Sequence, residues 1–295
     1  MSSPTHLRPL GFGEILDGAF TLFRRHFPVM FSLVLAAYLP LSVAMVLMRL
    51  QARTEPSFGT AVPMMVLSVM GLLLMVVVWG ALTWQASQAY TGGDVSVGAA
   101  ARRGLRAFLP LVGAGILAYL VLVVVLFALA IPVGVLSVIV ALVGGKYAPM
   151  LIGGVAAVLM VGGMLAASSA LFAVVPAVVV ERRGPIAALS RSYRLSVGAR
   201  LRVLGIMLVG WVITMLPAVG VMAVTGGWRR MLDPRLPDTA PAAVVAAEQL
   251  FQLVGSAFTT PFLVAALVLL YYDRRVRSEG LDLEVAASGL APVPA

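Results

Sequence analysis

Glu248 opens an apolar run and is followed by Gln249, Gln252, Thr259 and Thr260. An ionisable group inside a membrane segment is a functional candidate by default, as a proton or cation site on a transport path. At the start of a run the helix can begin after it, and the carboxylate then reaches water at the outer interface; this plainer reading is the favoured one. Gln85 and Gln88, near the inner end of an earlier run, carry the same two readings. Ser168 and Ser169 lie in a third run, but no His or Lys lies in any span to activate a hydroxyl. The two histidines, His6 and His26, both stand near the N-terminus. A zinc site takes three or four protein ligands, so no metal is expected from them. The chain has no Walker A loop, no H-E-x-x-H and no G-x-S-x-G. The expectation is a non-catalytic protein with no cofactor.

The elements that would hold these residues are membrane helices. The chain has 295 residues, 61% of them hydrophobic and only 11% charged, against about 25% charged in a soluble domain. Stretches free of Asp, Glu, Lys and Arg cover 26–48, 56–93, 107–145, 147–180, 203–228 and 249–272, the shortest being 23 residues. Each reaches the ~20 residues that cross ~30 Å of hydrocarbon, and helices satisfy their own backbone in lipid. The reading is an all-α, polytopic membrane protein with six transmembrane helices near 28–50, 61–90, 109–142, 147–180, 203–225 and 244–272. Pro132 interrupts the third run, which is read as one kinked helix; two crossings there would reverse every later orientation.

Lys and Arg set that orientation. One side collects 15 of them, including Arg24, Arg25, Arg102, Arg103, Arg106, Arg191, Arg194, Arg275 and Arg277, and the other side collects 6. Both termini are therefore expected in the cytoplasm, with the protein multi-pass in a bacterial inner membrane. The net charge of +9 would suit a nucleic-acid binder. Here the arginines flank apolar runs, so anionic lipid headgroups are the expected counter-charge and nucleic acid is not. There is no cysteine, which removes disulfides and thiolate chemistry.

Three short cationic stretches carry a helical period. Phe12, Ile15, Leu16, Ala19, Phe20, Phe23 and Phe27 share one face, with Glu14, Asp17, Arg24 and Arg25 off it. Val97, Ala100, Ala101, Gly104, Leu105 and Phe108 repeat the spacing after Ser96, an expected N-cap. Ile186, Leu189, Tyr193 and Val197 follow Pro185 more loosely, since Ser190 and Arg194 replace apolar residues. These predict three cytoplasmic interfacial amphipathic helices, about 12–27, 96–108 and 185–198, resting on anionic lipid. Their anchors, Phe12, Val97 and Ile186, are 85 and 89 residues apart, and each precedes a pair of spans. A threefold internal repeat of surface helix, span out and span back follows. The competing account is that any loop joining two spans tends to be basic and amphipathic.

The inner end of the last span predicts i, i+4 pairs, Asp273 with Arg277 and Arg275 with Glu279, on a helix stopping at Gly280. Bridges from this cluster to Glu14, Asp17 or Glu181 complete the expected inner-face charge network. The domain is expected to end near 284, with 285–295 a disordered tail.

LGFGEILDGAF at Leu10–Phe20, PAVVVERRGPIAALSRSYRL at Pro176–Leu195 and LYYDRRVRSEGLDLE at Leu270–Glu284 together carry a resemblance. The chain resembles bacterial polytopic proteins named after the membrane domain fused to some glycerophosphodiester phosphodiesterases. The resemblance implies a helical membrane domain. The phosphodiesterase activity of the fused members lies in a separate soluble barrel, for which this chain leaves no room, and no ligand residues come with the resemblance. The expected role is a scaffold or accessory subunit in an envelope or membrane-homeostasis complex, in contact with membrane lipid and a protein partner in the membrane. The alternative is a transporter or lipid-handling protein with a cavity between repeats, faced by Glu248, Gln85 and Gln88.

Overall fold

A computed structural model describes residues 8–54, 58–143, 148–226, 228, 241–281 and 283. The described residues are helical and contain no strand. Among the described residues six helical segments are long and apolar enough to cross a membrane: Phe27–Ala52, Gly59–Thr91, Phe108–Val140, Ile152–Val179, Arg200–Thr225 and Ala242–Glu279. His6, most of the loop 226–243 and the tail 285–295 lie outside the described residues.

The chain divides into two compact units, Met1–Phe108 with Ile206–Ala295, and Leu109–Gly205. The first unit contains α1 (Phe12–Arg25), α2 (Phe27–Thr54), α3 (Phe58–Thr91) and α4 (Val97–Arg106). The second holds nearly all of α5 (Phe108–Val143), then α6 (Ala148–Ala170), α7 (Val174–Val179) and α8 (Pro185–Ser196). Helix α9 (Arg200–Thr225) begins in the second unit and continues in the first, which α10 (Ala242–Glu279) completes.

Helix α10 is the most buried of the candidate spans. Helix α1 lies against it, and a Cβ placed on Gly18 would meet the Leu269 side chain at 2.7 Å. Phe27 and Phe31 of α2 stack on Phe258 of α10, with ring centroids 5.2 and 5.1 Å apart. Gly255 and Gly210 bring α10 and α9 together against Pro217 and Leu263, the close approach that small residues allow between membrane helices. Helix α4 rests on α3, where a Cβ on Gly104 would stand 2.5 Å from the Val77 carbonyl oxygen.

The short helices end close to where the sequence places them. Ser96 caps α4 by accepting the Ala99 N–H at 3.3 Å, and Pro185 sits in the first turn of α8. Phe27 and Phe108 begin the following spans rather than ending the surface helices, because His26 and Ala107 break the chain one residue earlier. The third run is a single helix through Pro132. The fourth, expected as a span over 147–180, is one candidate span over Ile152–Val179, though not a regular helix throughout. It breaks at Leu171–Ala173, between α6 and α7. Pro176 has no N–H to offer Phe172, so the ladder is interrupted there. Ser192 of α8 fills the gap: its hydroxyl donates to the Ala170 carbonyl at 2.7 Å and accepts the Ala173 N–H at 2.9 Å.

Candidate functional site

In the first unit the polar interior gathers at the C-terminal ends of α3 and α10. Asp273 is buried and accepts the Leu10 N–H at 2.8 Å and the Arg277 Nε–H at 2.8 Å. Arg277 also donates from Nη2 to the Leu10 carbonyl at 2.8 Å. The two side chains thus hold both backbone groups of one residue, and they tie the segment before α1 to the last turns of α10. Charge-assisted bonds of this kind are roughly twice as strong as neutral ones. Ser87 and Tyr272 share a hydrogen bond of 2.8 Å, and Tyr90 packs on Tyr272 with centroids 5.2 Å apart. Glu14 accepts the Gly11 N–H at 2.6 Å and pairs with Arg8 at 2.7 Å. Arg8 and Gly11 together hold the Glu14 carboxyl below its ordinary range. His26, at the break before α2, is pushed down by burial and by Arg25 beside it.

In the second unit Glu181 is the hub. Its Oε1 accepts from Nε and Nη2 of Arg191, both at 2.9 Å, and its Oε2 pairs with Arg183. Arg182, between them, has a φ of 55°, a left-handed conformation rare outside glycine. The ring of charge fastens the loop after α7 to α8.

Within the expected inner-face network, several local ties are seen. Asp273 with Arg277, and Arg275 with Glu279 at 3.3 Å, pair along α10. Glu14 turns to Arg8, Glu181 turns to Arg183 and Arg191, and Asp17 is exposed. Of the arginines expected on an exposed surface, Arg24, Arg25, Arg102, Arg106 and Arg194 are exposed and Arg103 is half-buried. Arg191 is the correction, at 8% exposure. Helix α8 turns Ala188, Arg191, Ser192 and Leu195 inward and leaves Ile186, Tyr193 and Val197 exposed. Its apolar stripe is the outer face, and the protein-facing side is chosen by small and hydrogen-bonding residues. Helix α1 divides its stripe: Ile15, Ala19 and Phe23 are buried, while Phe12 and Phe20 stay exposed.

Glu248, Gln85 and Gln88 do not come together. Ser87 marks the level of Tyr272 on α10. Glu248 stands 24 residues earlier on that helix, about 36 Å along its axis. Gln85 is fully buried, and its side-chain amide makes no hydrogen bond among the described residues. Gln88 is half-buried beside Gly93, whose N–H bonds the Gln88 carbonyl at 2.8 Å. A shared polar cavity, the basis of the transporter alternative, is not formed by these three. No cluster of His, Cys, Asp or Glu able to hold a metal occurs among the described residues.

Each unit also carries a groove. One of about 490 Å³ runs between α2 and α3, from Leu67 to Leu105 and Phe108, with an almost wholly apolar lining. The other, of about 680 Å³, lies between α5, α6 and α8 and ends on Ser190, Tyr193, Arg194 and Arg200. Arg200 stands over the Tyr193 ring, 5.8 Å from its centroid.

Helical periodicity carries no signal for Arg8, Ser192, Arg200 or Arg183. Ser192 had a signal in Pro176, whose missing N–H calls for an outside partner. Arg8 had one in the short spacing to Glu14.

A family model described as a domain of unknown function (DUF7847) matches residues 12–274. No curated protein and no solved structure matches the chain.

Proposed function

The chain belongs to the DUF7847 family of domains of unknown function, and we propose that it is a non-catalytic scaffold or accessory subunit of an envelope or membrane-homeostasis complex. It sits in a bacterial inner membrane with both termini in the cytoplasm. The stand-alone relatives of the membrane domain fused to some glycerophosphodiester phosphodiesterases are its proposed kin, without their enzyme activity.

One observation carries this reading. The interior polar groups that the structure pairs are spent on ties between segments: Asp273 and Arg277 on Leu10, Glu181 on Arg183 and Arg191, Ser192 on the α6–α7 break. Arg24, Arg25, Arg102, Arg106 and Arg194 are exposed, as is the outer stripe of α8, and these are the surfaces offered to contacts outside the chain. A rigid frame presenting a cationic, partly apolar face suits assembly better than turnover.

The natural absence of cysteine makes topology a clean test. Cysteines introduced singly at Ile186 and Leu105 should react with a membrane-impermeant maleimide only after the cytoplasmic side is opened. Gentle extraction into lipid nanodiscs should retain a stoichiometric protein, lost when Arg24, Arg25, Arg102 and Arg106 become Gln. A solitary, monodisperse chain would sink the scaffold reading. Labelling of Ile186→Cys from outside the cell would reverse the orientation.

A further inference from the structure

We propose that the groove between α5 and α6 is a binding site for an anionic phospholipid, with one acyl chain in the groove and the phosphate between Arg194 and Arg200. The inference deepens the scaffold reading and rests on it only in placing the chain in a bilayer.

The walls come first. Val121 and Val125 of α5 face Gly163, Ala166, Ala167 and Ala170 of α6. Small residues on one wall leave room that large ones would fill. Away from α8 the groove is bounded where Leu129 touches Gly163. At the other end α8 crosses the two spans: Pro185 packs on Gly113 of α5, and Ser192 is bonded into the end of α6. From Gly163 to Ala170 the groove follows about 11 Å of helix, and its volume is within the range of sites that hold organic ligands.

The polar end decides what kind of molecule fits. Arg194 and Arg200 are exposed, line the groove, and form no ion pair among the described residues. Arg191, one turn earlier on α8, is buried and neutralised by Glu181. Glu181 thus engages Arg183 and Arg191, while Arg194 and Arg200 stand at the mouth of a hydrocarbon slot. In a bilayer the slot fills with an acyl chain, and two guanidinium groups at its end select a phosphate-bearing headgroup without a compensating cation. Tyr193 and Ser190 beside them suit the boundary between hydrocarbon and headgroup.

The test uses the full chain, purified in detergent and given an equimolar mixture of phosphatidylglycerol and phosphatidylcholine, read by native mass spectrometry. Phosphatidylglycerol should be retained about tenfold over phosphatidylcholine, a difference of about 1.4 kcal/mol. Arg194→Gln with Arg200→Gln should abolish that preference, and Lys at both positions should keep most of it, which separates lost charge from lost fold. Ala167→Phe should reduce retention of both lipids about fivefold by filling the slot. Glycerol phosphate, a headgroup without chains, should not displace the bound lipid. Equal retention of the two lipids by the unaltered protein would overturn the site, as would a preference that survives the double Gln variant. Displacement by glycerol phosphate, with Ala167→Phe having no effect, would mean a soluble anion site instead. These readings are made on the isolated protein in detergent. They stand or fall separately from the orientation and from the partner.

Discussion

The two grooves are built alike and end differently. Each lies between two consecutive long apolar helices, and each is closed by the next short helix, α4 in one unit and α8 in the other. The register that sets Val97 against Ile186, 89 residues apart, sets Leu105 against Arg194. Leu105 and Phe108 finish the first groove with carbon, whereas Arg194 and Arg200 finish the second with charge. Among the described residues a short helix precedes two long apolar segments in each case: α1 before α2 and α3, α4 before α5 and α6, α8 before α9 and α10. A repeated frame can thus keep its architecture while a few positions decide what it holds.

The anchoring of the short elements differs as well, and that difference is the easiest to break. Glu181 is the counter-charge for Arg191, which is 8% exposed. Glu181→Ala should leave a guanidinium buried without its carboxylate and cost about 3–5 kcal/mol, lowering the unfolding midpoint in detergent by roughly 10 °C. Adding Arg191→Met should recover much of the loss, since removing both charges removes the desolvation cost. In the first unit, Asp273→Ala should cost less, about 2–3 kcal/mol, because Arg277 is near enough to the surface to turn to water. Its signature should be protease cleavage near Leu10. Were Asp273→Ala the more damaging of the two, the tie at Leu10 would be the main anchor and the contrast would invert.

Two smaller changes sharpen the same contrast. Ser192→Ala should remove a donor and an acceptor from the α6–α7 break, costing about 1–2 kcal/mol, with faster amide exchange at Ala173. An unchanged exchange rate would show that the break is held by other contacts. Leu105→Arg should give the first groove a charged end. Retention of phosphatidylglycerol over phosphatidylcholine should then rise about threefold, under 1 kcal/mol. No change there would mean that Arg200, which has no counterpart on the first groove, is indispensable.

Much of the frame was legible in the sequence because membrane solvent is a severe constraint. Charge-free runs of 23 residues or more have one stable conformation in hydrocarbon, and Ser96, Pro185 and Gly280 mark helix ends through local backbone chemistry. What could not be read was which face of a short helix meets protein. The period of α8 shows an apolar stripe, but in lipid such a stripe is at home facing outward, so the period alone places Arg191 on the wrong side. Amphipathicity separates polar from apolar and does not separate lipid from protein. The Leu10 tie was equally hidden, since Asp273 and Arg277 bind backbone atoms, and backbone atoms leave no trace in residue type.

The smallest expected effect concerns the exposed pair beside that tie. Arg8 and the Gly11 N–H both favour the ionised form of Glu14 and hold its carboxyl low. A group depressed in the folded state contributes stability above its ordinary value, near ~4.3 for Glu, and that contribution is lost as pH falls through the folded value. Arg8→Gln removes the larger cause and keeps Gly11, so the titration should move partway back up. The carboxyl carbon resonance of Glu14 should then titrate at higher pH in the variant, with the Leu10 tie kept and stability near neutral pH lowered only slightly, because the pair is exposed. Identical titration in both proteins would show that Gly11 alone sets the carboxylate. The segment before α1 would then owe its position to Asp273 and Arg277, with no help from Arg8.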